Sequence, residues 1–327
     1  MASNNNKRKI LYLMKIFLEQ TDEDHMMTAN QLIEALKLYD VKAERKSIYN
    51  DIEVLQDYGL DIIQMKGKTP GYYLGSRRFE LPELKLLVDV VQSSKFFSSK
   101  KSQELIKKLE ELTSKHEAKL LERQVYIYNR LKSENETIYY SVDDLHDAIQ
   151  YDKKIKFQYG SWDRNKNMNL RHNGKFYQVS PWATTWDNEN YYLIAYEEES
   201  GEIRHYRVDK LRNVQILEEK RLGKEHFEEF NLPQFMKKTF GMFGGKDAIV
   251  SLQCENGLAG VILDRFGTDT MLIPVDEKHF RVNLLISVSS QFYGWVTGIG
   301  KGMKITGPEN VKKEYQKYLH SILESYQ

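Results

Sequence analysis

The opening residues of one predicted helix carry cations where a helix normally favours anions. Arg45, Lys46 and Ser47 stand near the start of the stretch AERKSIYNDIEVLQDYG, residues 43–59. The N-terminal end of a helix carries a partial positive charge, which stabilises acidic side chains there. The cations therefore predict a negatively charged group that comes from outside the chain.

The same helix has an apolar face and a polar face. Ile48, Ile52 and Leu55 recur at helical spacing and are expected to be buried. At about 100° per residue, Lys46 and Asn50 then lie on the opposite side. The pattern predicts a helix that packs on one face and presents its cationic start on the other.

Two more helices precede this one, and a hairpin follows it. Residues 7–20 have apolar residues at helical spacing, and HMMTANQLIEALKLYD contains a capping box that starts at Thr28. Two β-prone runs flank the turn-rich segment GKTPG in LDIIQMKGKTPGYYLG. This order predicts a winged helix-turn-helix in residues 1–78, with Lys66 and Lys68 at the tip of the wing.

The third helix of a helix-turn-helix enters the major groove of duplex DNA. Its first residues contact base edges and phosphates, and a wing adds phosphate contacts. The residues expected to bind DNA are Arg45, Lys46, Ser47, Tyr49, Asn50, Lys66, Lys68 and Tyr72. The alternative is that Lys46 and Asn50 only solvate an exposed helix face, since surface charge is common.

The composition indicates a multidomain chain with ordinary apolar cores. Of its 327 residues, 29% are charged and 41% are hydrophobic. The formal net charge of +1 excludes an evenly basic nucleic-acid binder but not a local basic face. The single cysteine, Cys254, cannot form an internal disulfide, which favours a reducing, cytoplasmic location. No stretch approaches the roughly 18 apolar residues of a membrane span, so no membrane partner is expected.

The region after the winged helix is predicted to be helical. Residues 79–132 carry helical patterning throughout, and Pro82 suits a helix start. Residues 79–137 are therefore assigned to a helical linker that could also pair with a second copy of the chain.

The second half of the chain changes in character. In SVDDLHDAIQYDKK, Ser141 is expected to cap a helix, with Asp144 at its third position. KIKFQY and the aromatic-rich stretch after it predict short antiparallel strands with turns at DNEN and EESGE, which suit a small β-barrel at 138–218. Residues 219–327 predict a polar linker and a βαββαβ-like α/β unit. The expected fold class is thus α+β and multidomain.

This combination resembles bacterial transcriptional regulators of the WYL-domain family, over nearly the whole chain. RKSIYNDIEVLQDYG stands where the family has its recognition helix, and YYLIAY at 191–196 stands for the Trp-Tyr-Leu signature, with Tyr191 in place of tryptophan. IRHYRVDKL at 203–211 resembles the basic, aromatic strand that follows the signature, and the residues from about 243 on resemble the family's C-terminal extension. The resemblance implies an Sm-like β-barrel in the middle domain and a homodimeric DNA binder that senses a nucleotide or oligonucleotide.

Cations and rings combine on the predicted barrel. Rings stack on bases, and arginines bind phosphates through paired N–H donors. The residues expected to bind the ligand are Arg171, Tyr177, Ser180, Trp182, Tyr192, Arg204, His205 and Arg207. Since neighbouring residues of a strand point to opposite faces, only part of this set is expected in any one pocket.

The sequence therefore predicts a DNA-binding transcriptional regulator with a ligand-sensing middle domain. Its expected partners are a double-stranded DNA operator and a nucleotide or oligonucleotide effector. No enzymatic activity, metal or cofactor is expected, because His172, His205 and Cys254 lack zinc-site spacing and no P-loop, G-x-S-x-G or H-E-x-x-H motif occurs.

Two other classes of protein stay open. One is a non-transcriptional accessory protein that binds nucleic acid and modulates a partner enzyme. The other is a nucleic-acid-processing enzyme in which Asp143, Asp144 and Asp147 hold Mg²⁺. These acids lie at a predicted helix start, where capping and the favourable interaction with the helix dipole explain them more simply.

Overall fold

The computed structural model describes residues 2–67, 70–121, 132, 135–228 and 231–327. The chain forms two compact units, Met1–Glu136 and Thr137–Gln327. Within the described ranges, no helix combines the length and the apolar content needed to cross a membrane.

The first unit opens with three helices and a hairpin, in the predicted order. The elements are α1 (Ala2–Gln20), α2 (Ala29–Lys37), α3 (Arg45–Asp57), β1 (Ile62–Met65) and β2 (Gly71–Leu74), with β1 and β2 antiparallel. The capping box of α2 is present: the Thr28 side chain accepts from the Gln31 backbone N–H, and the Gln31 side chain accepts from the Thr28 backbone N–H. The helix boundaries of this region thus follow from its capping residues and periodicity.

The three helices and the hairpin share one apolar core. Ile48, Ile52 and Leu55 of α3 are buried, as predicted, in a cluster that includes Leu13 and Phe17 of α1. The hairpin is fastened to the chain before α2 because Met27 and Tyr72 exchange two backbone hydrogen bonds, of 2.8 and 2.9 Å. The core therefore fixes the first turn of α3 relative to both α2 and the hairpin.

Three helices follow within the same unit: α4 (Leu81–Ser93), α5 (Ser99–Glu110) and α6 (Lys115–Leu121). The expectation that residues 79–132 are wholly helical is wrong where α4 ends, because Ser94 adopts an extended conformation. Ser98 then caps α5 by accepting a hydrogen bond from the N–H of Lys101. Most of residues 122–134 lie outside the described residues.

The helical region contacts the winged region at the end of α1. Arg77 donates to the backbone carbonyls of Leu18 and Thr21, and Ser114 donates to the carboxylate of Asp22. The imidazole of His25 stacks on that of His116 with ring centroids 3.7 Å apart. Polar contacts thus connect the two parts of this unit.

The second unit begins with one helix and an antiparallel sheet. The elements are α7 (Ile138–Gln150), β3 (Lys153–Trp162), β4 (Met168–Leu170), β5 (Phe176–Asp187), β6 (Asn190–Glu197), β7 (Glu202–Arg207) and β8 (Leu211–Lys220). The strand order is β4-β3-β5-β6-β7, and β8 pairs with β3. Among the described residues the pairings leave this sheet open, so the predicted Sm-like barrel is not confirmed.

The predicted cap of α7 is wrong. The helix begins at Ile138, three residues before Ser141, and the hydroxyl of Ser141 donates to the carbonyl of Thr137 within the helix. The two predicted turns are present: Asn188 and Glu189, with positive φ angles of 44° and 64°, connect β5 to β6, and Gly201 lies between β6 and β7.

The C-terminal part of this unit has the predicted alternation of strands and helices. It consists of α8 (Lys224–Glu228), α9 (Leu232–Lys238), β9 (Lys246–Glu255), α10 (Ala259–Phe266), β10 (Ile273–Pro274), β11 (His279–Val288), α11 (Ser290–Ile299), β12 (Met303–Gly307) and α12 (Glu309–Glu324). The four strands pair antiparallel in the order β10-β11-β9-β12, as in a split βαβ arrangement.

Gly245 packs directly on the end of β11. Its backbone N–H donates to the Ser287 hydroxyl, which in turn donates to the Gly245 carbonyl. A Cβ at this position would lie 1.9 Å from the carbonyl oxygen of Val288, whereas a Cβ at Gly244 would meet nothing within 4 Å.

Gly245→Ala is therefore expected to lower the free energy of unfolding of the second unit by about 1–3 kcal/mol, as overpacking does in closely packed regions. Urea unfolding followed by circular dichroism measures the loss. Gly244→Ala is the matched control and is expected to change stability far less. Equal stability of the two variants would contradict the close approach.

Candidate functional site

The start of α3 presents its cations on the outside of the first unit. Arg45, Lys46 and Asn50 are exposed, and Ser47 and Tyr49 are half-buried. The Nε of Arg45 donates to the Tyr49 hydroxyl over 2.6 Å, and its guanidinium lies 5.9 Å from the Tyr49 ring centroid. The hydrogen bond holds the guanidinium beside the first turn of the helix.

The first turn of α3 has no side-chain cap. Glu44, the N-cap residue, makes no capping hydrogen bond, and the Ser47 hydroxyl donates to the Glu44 carbonyl over 2.9 Å. The acid Asp51 is directed to the other side, where its carboxylate lies 2.9 Å from the ammonium of Lys9 in a largely buried ion pair. Asp51 is thus neutralised within the chain, on the side away from the cations.

A shallow groove of about 200 Å³ connects the start of α3 to its neighbours. Its lining residues are Thr28, Ala29, Asn30, Arg45, Tyr49, Pro70 and Tyr72. The first residues of α2 and the start of β2 thus lie beside the cations of α3. Asn30 is exposed here and was not among the predicted residues, although its place behind the Thr28 cap was visible in the sequence.

The hairpin residues of the predicted set differ in position. Tyr72 is only 7% exposed, and burial raises the pKa of its hydroxyl, with a smaller effect of the same sign from Tyr49. Tyr72 therefore forms the floor of the groove, and its predicted contact with DNA stays a prediction. Lys66 is exposed after β1, and Lys68 lies outside the described residues.

The predicted ligand residues of β6 and β7 divide between two faces of the sheet. The register pairs Tyr192 with Arg207, Ile194 with His205, and Ala195 with Arg204. Because side chains alternate along a strand, Arg207 and His205 lie on one face and Arg204 on the other. The set thus divides as the alternation rule requires.

Cations concentrate around Asp209, just after β7. Arg207 forms a two-point ion pair with the Asp209 carboxylate, with distances of 2.8 and 3.0 Å, and Arg212 donates to the Asp209 carbonyl over 2.8 Å. The pKa of Lys210 is lowered, first by burial and then by Arg207 and Arg171. We define Arg171, Arg207, Asp209, Lys210 and Arg212 as the Asp209 cluster.

Tyr159 forms one wall of the Asp209 cluster. Its hydroxyl accepts the backbone N–H of Arg207 over 3.2 Å, and the guanidinium of Arg171 lies 5.3 Å from its ring centroid. Tyr177 meets Tyr159 edge to face at 6.3 Å. Four cations therefore lie near one acidic residue and beside two rings, which suits a ligand with several negative charges.

Sequence patterns alone missed part of the Asp209 cluster. Lys210, Arg212 and Tyr159 were not in the predicted set, although VDKLR directly follows the basic strand. Tyr192 was in that set, but it is only 8% exposed and packs in an apolar cluster with Ile194 and Phe235. Arg171 and Arg207 are the predicted cations that the structure brings together.

Ser180 and Trp182 hold the chain after β8. The fully buried Ser180 hydroxyl accepts the backbone N–H of Leu222 over 2.8 Å, and Trp182 Nε1 donates to the Leu222 carbonyl over 3.0 Å. The Arg221 guanidinium lies 4.1 Å from the Trp182 ring centroid, and Phe227 stacks on the same ring. These contacts give both residues a structural role away from the Asp209 cluster.

His205 and Arg204 border a different cavity. It has a volume of about 480 Å³ and lies between β7 and the segment that leads into β9. Arg204 pairs with Glu197 at 3.4 Å and with Glu202 at 3.1 Å. His205 stacks on Phe235 at 4.5 Å, and burial, with the nearby Arg204 as a smaller cause, lowers its pKa to about 4.

The low pKa of His205 predicts a pH-dependent stability. The folded state holds this imidazole neutral, whereas the unfolded chain protonates it below its ordinary pKa of 6.5. The stability contribution is complete above pH 6.5 and is lost as the pH falls towards about 4, by on the order of 3 kcal/mol. Urea unfolding of the wild type and of His205→Gln between these pH values measures the difference. Parallel pH profiles would contradict the prediction.

Two findings concern metal ligands and the thiol of Cys254. Within those ranges, no group of three or more His, Cys, Asp or Glu side chains is placed to hold a metal ion, and this includes the aspartates proposed for Mg²⁺. The pKa of Cys254 is raised to about 11 by burial, so its thiol is a poor nucleophile at neutral pH.

Comparison with protein families assigns the middle of the chain. The family model of the WYL domain matches residues 141–216. The chain therefore contains a WYL domain. The matched segment contains all eight predicted ligand residues and the entire Asp209 cluster, so the expectation of a WYL domain at this place is confirmed.

Solved structures similar to this WYL-domain protein include the proteasome accessory factor PafBC of Arthrobacter aurescens and a CRISPR Cas-related protein. The first is 14% identical, with a TM-score of 0.30, and the match covers 98% of this chain and 49% of that chain. The second is 15% identical, with a TM-score of 0.37, and covers 67% of this chain and 60% of that chain. The chain thus spans about half of PafBC and less than two thirds of the other protein. No curated protein matches it.

Proposed function

We propose that this WYL-domain protein is a DNA-binding regulator of transcription. The observation that carries the proposal is the cationic first turn of α3, where Arg45 and Lys46 are exposed beside the groove formed with α2 and the hairpin. In a winged helix-turn-helix this turn enters the major groove, and the start of the second helix contacts the phosphate backbone. Lys46 and Asn50 would then contact base edges, and Arg45, Ser47 and the wing lysines would contact phosphates.

The proposed domains follow one another along the chain, each with its own function. Residues 1–78 form the winged helix-turn-helix, 79–137 the helical dimerisation region, 138–218 the WYL domain and 219–327 the linker and C-terminal extension. An exposed apolar strip on α4, made by Leu86, Leu87 and Val90, supports pairing of two chains through the helical region. A cytoplasmic location follows from the proposal, because that is where the operator would lie.

The WYL domain would sense a nucleotide or a single-stranded oligonucleotide. The Asp209 cluster supports the binding of a nucleotide, because its four cations exceed its one carboxylate and two tyrosines lie beside them. A ligand bound there changes the regulator only if it prefers one arrangement of the two units over another. The polar contacts between α6 and the end of α1 offer a path from the helical region to the winged region.

The proposal is tested by selecting bound fragments from a genomic or random duplex library. The selection is done with and without added short oligonucleotides. The full chain is expected to enrich one motif made of two inverted half-sites, with centres about 10 base pairs or a multiple of that apart. Added oligonucleotide is expected to change the amount of enriched duplex. If no duplex is enriched while the oligonucleotide still binds, the chain acts instead as a nucleic-acid-binding accessory protein that modulates a partner enzyme.

A further inference from the structure

Residues 153–178 concentrate positive charge. This segment holds seven lysines and arginines and one acidic residue, Asp163, in a chain whose formal net charge is only +1. The segment runs from the start of β3, through the β3–β4 turn, to the first residues of β5. Such local charge is a feature of surfaces that bind polyanions.

Part of this charge is already neutralised by the chain. Lys153 pairs with Glu218, Lys154 with Glu198 and Glu219, and Lys175 with Glu199.

The remaining cations have a different environment. The carboxylate of Asp163 is engaged within the β3–β4 turn, where it accepts hydrogen bonds from Asn165, Asn167 and Asn169. Among the described residues, no carboxylate lies within ion-pair distance of Lys156, Arg164 or Lys166. These three cations are therefore available to an external partner.

The sheet displays Lys156 on the same face as two exposed rings. Lys156, Gln158 and Trp162 alternate along β3, and the register places Phe176 opposite Gln158 and Met168 opposite Trp162. The Lys156 ammonium lies 5.6 Å from the Phe176 ring centroid. We call this surface the outer face: Lys156, Gln158, Trp162, Met168, Leu170, Phe176 and Gln178, with Arg164 and Lys166 in the adjoining turn.

The two faces of this part of the sheet differ sharply. Trp162 is 53% exposed and Phe176 is 42% exposed, whereas Ile155, Phe157 and Val179 of the opposite face are fully buried. Tyr159, which borders the Asp209 cluster, also alternates to the opposite face. The outer face is therefore separate from the Asp209 cluster.

We propose that the outer face binds single-stranded nucleic acid. Unpaired bases can stack on Trp162 and Phe176, and Lys156, Arg164 and Lys166 contact the phosphates. Along β3 the two ring positions are roughly 13 Å apart, which leaves room for separate bases. A duplex offers its phosphates but keeps its bases stacked inside, so the exposed rings favour an unpaired strand.

The proposal is tested on the full chain by fluorescence anisotropy, which measures its affinity for a labelled single-stranded oligonucleotide of mixed sequence. Trp162→Ala with Phe176→Ala is expected to weaken binding at least about 30-fold, because each base stack contributes about 1–3 kcal/mol. Trp162→Phe keeps a ring and is expected to retain most of the affinity. Trp186→Ala removes an exposed ring elsewhere on the sheet and is the matched control.

The charges are tested by the salt dependence of the same binding. The slope of log affinity against log salt is expected to fall by about 2 in a triple variant with Lys156→Ala, Arg164→Ala and Lys166→Ala, because each phosphate contact contributes about 0.7. Photocrosslinking of an oligonucleotide containing 5-bromouridine to the wild-type chain gives a result that needs no variant. Crosslinks are expected at Trp162 or Phe176.

Several outcomes would overturn the proposal. Full oligonucleotide affinity in the double ring variant, with loss in the triple charge variant, would show a general polyanion surface without stacking. Binding of anionic lipid vesicles without binding of the oligonucleotide would assign the face to a membrane. Crosslinks confined to residues around Asp209, and lost in Arg207→Ala with Lys210→Ala, would assign the strand to the Asp209 cluster. Failure of duplex binding by α3 would leave the predicted crosslinks unchanged.

Discussion

Replacing Arg45 and Lys46 with alanine is expected to weaken duplex binding by at least about fivefold and by up to about 100-fold or more, since a good base-edge contact alone contributes about 1–3 kcal/mol. Both side chains are exposed on the first turn of α3, so their loss leaves the core of Ile48, Ile52 and Leu55 intact. The salt slope of the remaining binding is expected to fall by about 0.9, because Arg45 makes one of the proposed phosphate contacts. Anisotropy with the selected duplex at several salt concentrations measures both effects.

The control for this prediction removes the same charge elsewhere. Lys313→Ala with Lys317→Ala changes two exposed lysines of α12 and is expected to leave duplex affinity within about twofold, because neither lysine belongs to the winged helix-turn-helix that is proposed to contact DNA. Light scattering is expected to show the same association state for both double variants. Unchanged duplex affinity after loss of Arg45 and Lys46 would show that α3 is not the recognition helix.

Replacing Arg207 and Lys210 with alanine is expected to reduce nucleotide binding by at least about 100-fold, since hydrogen bonds to charged groups contribute about 1.5–3 kcal/mol each. The loss of Arg207 also leaves the Asp209 carboxylate without its two-point partner, which adds repulsion towards an anionic ligand. Isothermal titration with a nucleoside triphosphate measures the effect. Duplex affinity without ligand is expected to stay the same.

A neighbouring arginine supplies the control. Arg204 lies three residues before Arg207 but on the opposite face, where it pairs with Glu197 and Glu202. Arg204→Ala is expected to leave nucleotide affinity within about threefold, because exposed ion pairs contribute little. Equal losses in the Arg204 and Arg207 variants would place the ligand elsewhere than in the Asp209 cluster.

Periodicity and capping predicted α1, α2 and α3 well, because both signals are local. The buried positions of α3 follow from its i, i+4, i+7 spacing, and Thr28 with Gln31 fixes the start of α2. The prediction that Ser141 caps α7 was wrong because it used only local signals. A serine ahead of an acidic residue favours a cap, but Ile138 is buried and the helix begins one turn earlier. Packing decided this boundary.

The closure of the middle sheet could not be predicted from strand patterns. Alternation and turn residues gave the strands and their faces, including the opposite directions of Arg204 and His205. Which strands pair at the ends of a sheet depends on contacts distant in sequence. The long-range pairing of β8 with β3 is of this kind.

The candidate sites show the same limit. Residue type predicted Arg171 and Arg207 as candidate anion ligands, but it could not separate them from Trp182, whose indole contacts the Leu222 carbonyl and the Arg221 guanidinium. Lys210 joins the site only because a tight turn follows β7 and brings it beside Arg171. The cationic run of residues 153–178, by contrast, was visible in the sequence and needed only a local charge count.

The most direct test of the central proposal is an experimental structure of the full chain bound to its selected duplex. The proposal predicts the first turn of α3 in the major groove, with Lys46 and Asn50 within hydrogen-bonding distance of base edges and Arg45 at a phosphate. A complex in which these three side chains face away from the duplex, or in which the DNA contacts only the second unit, would contradict it.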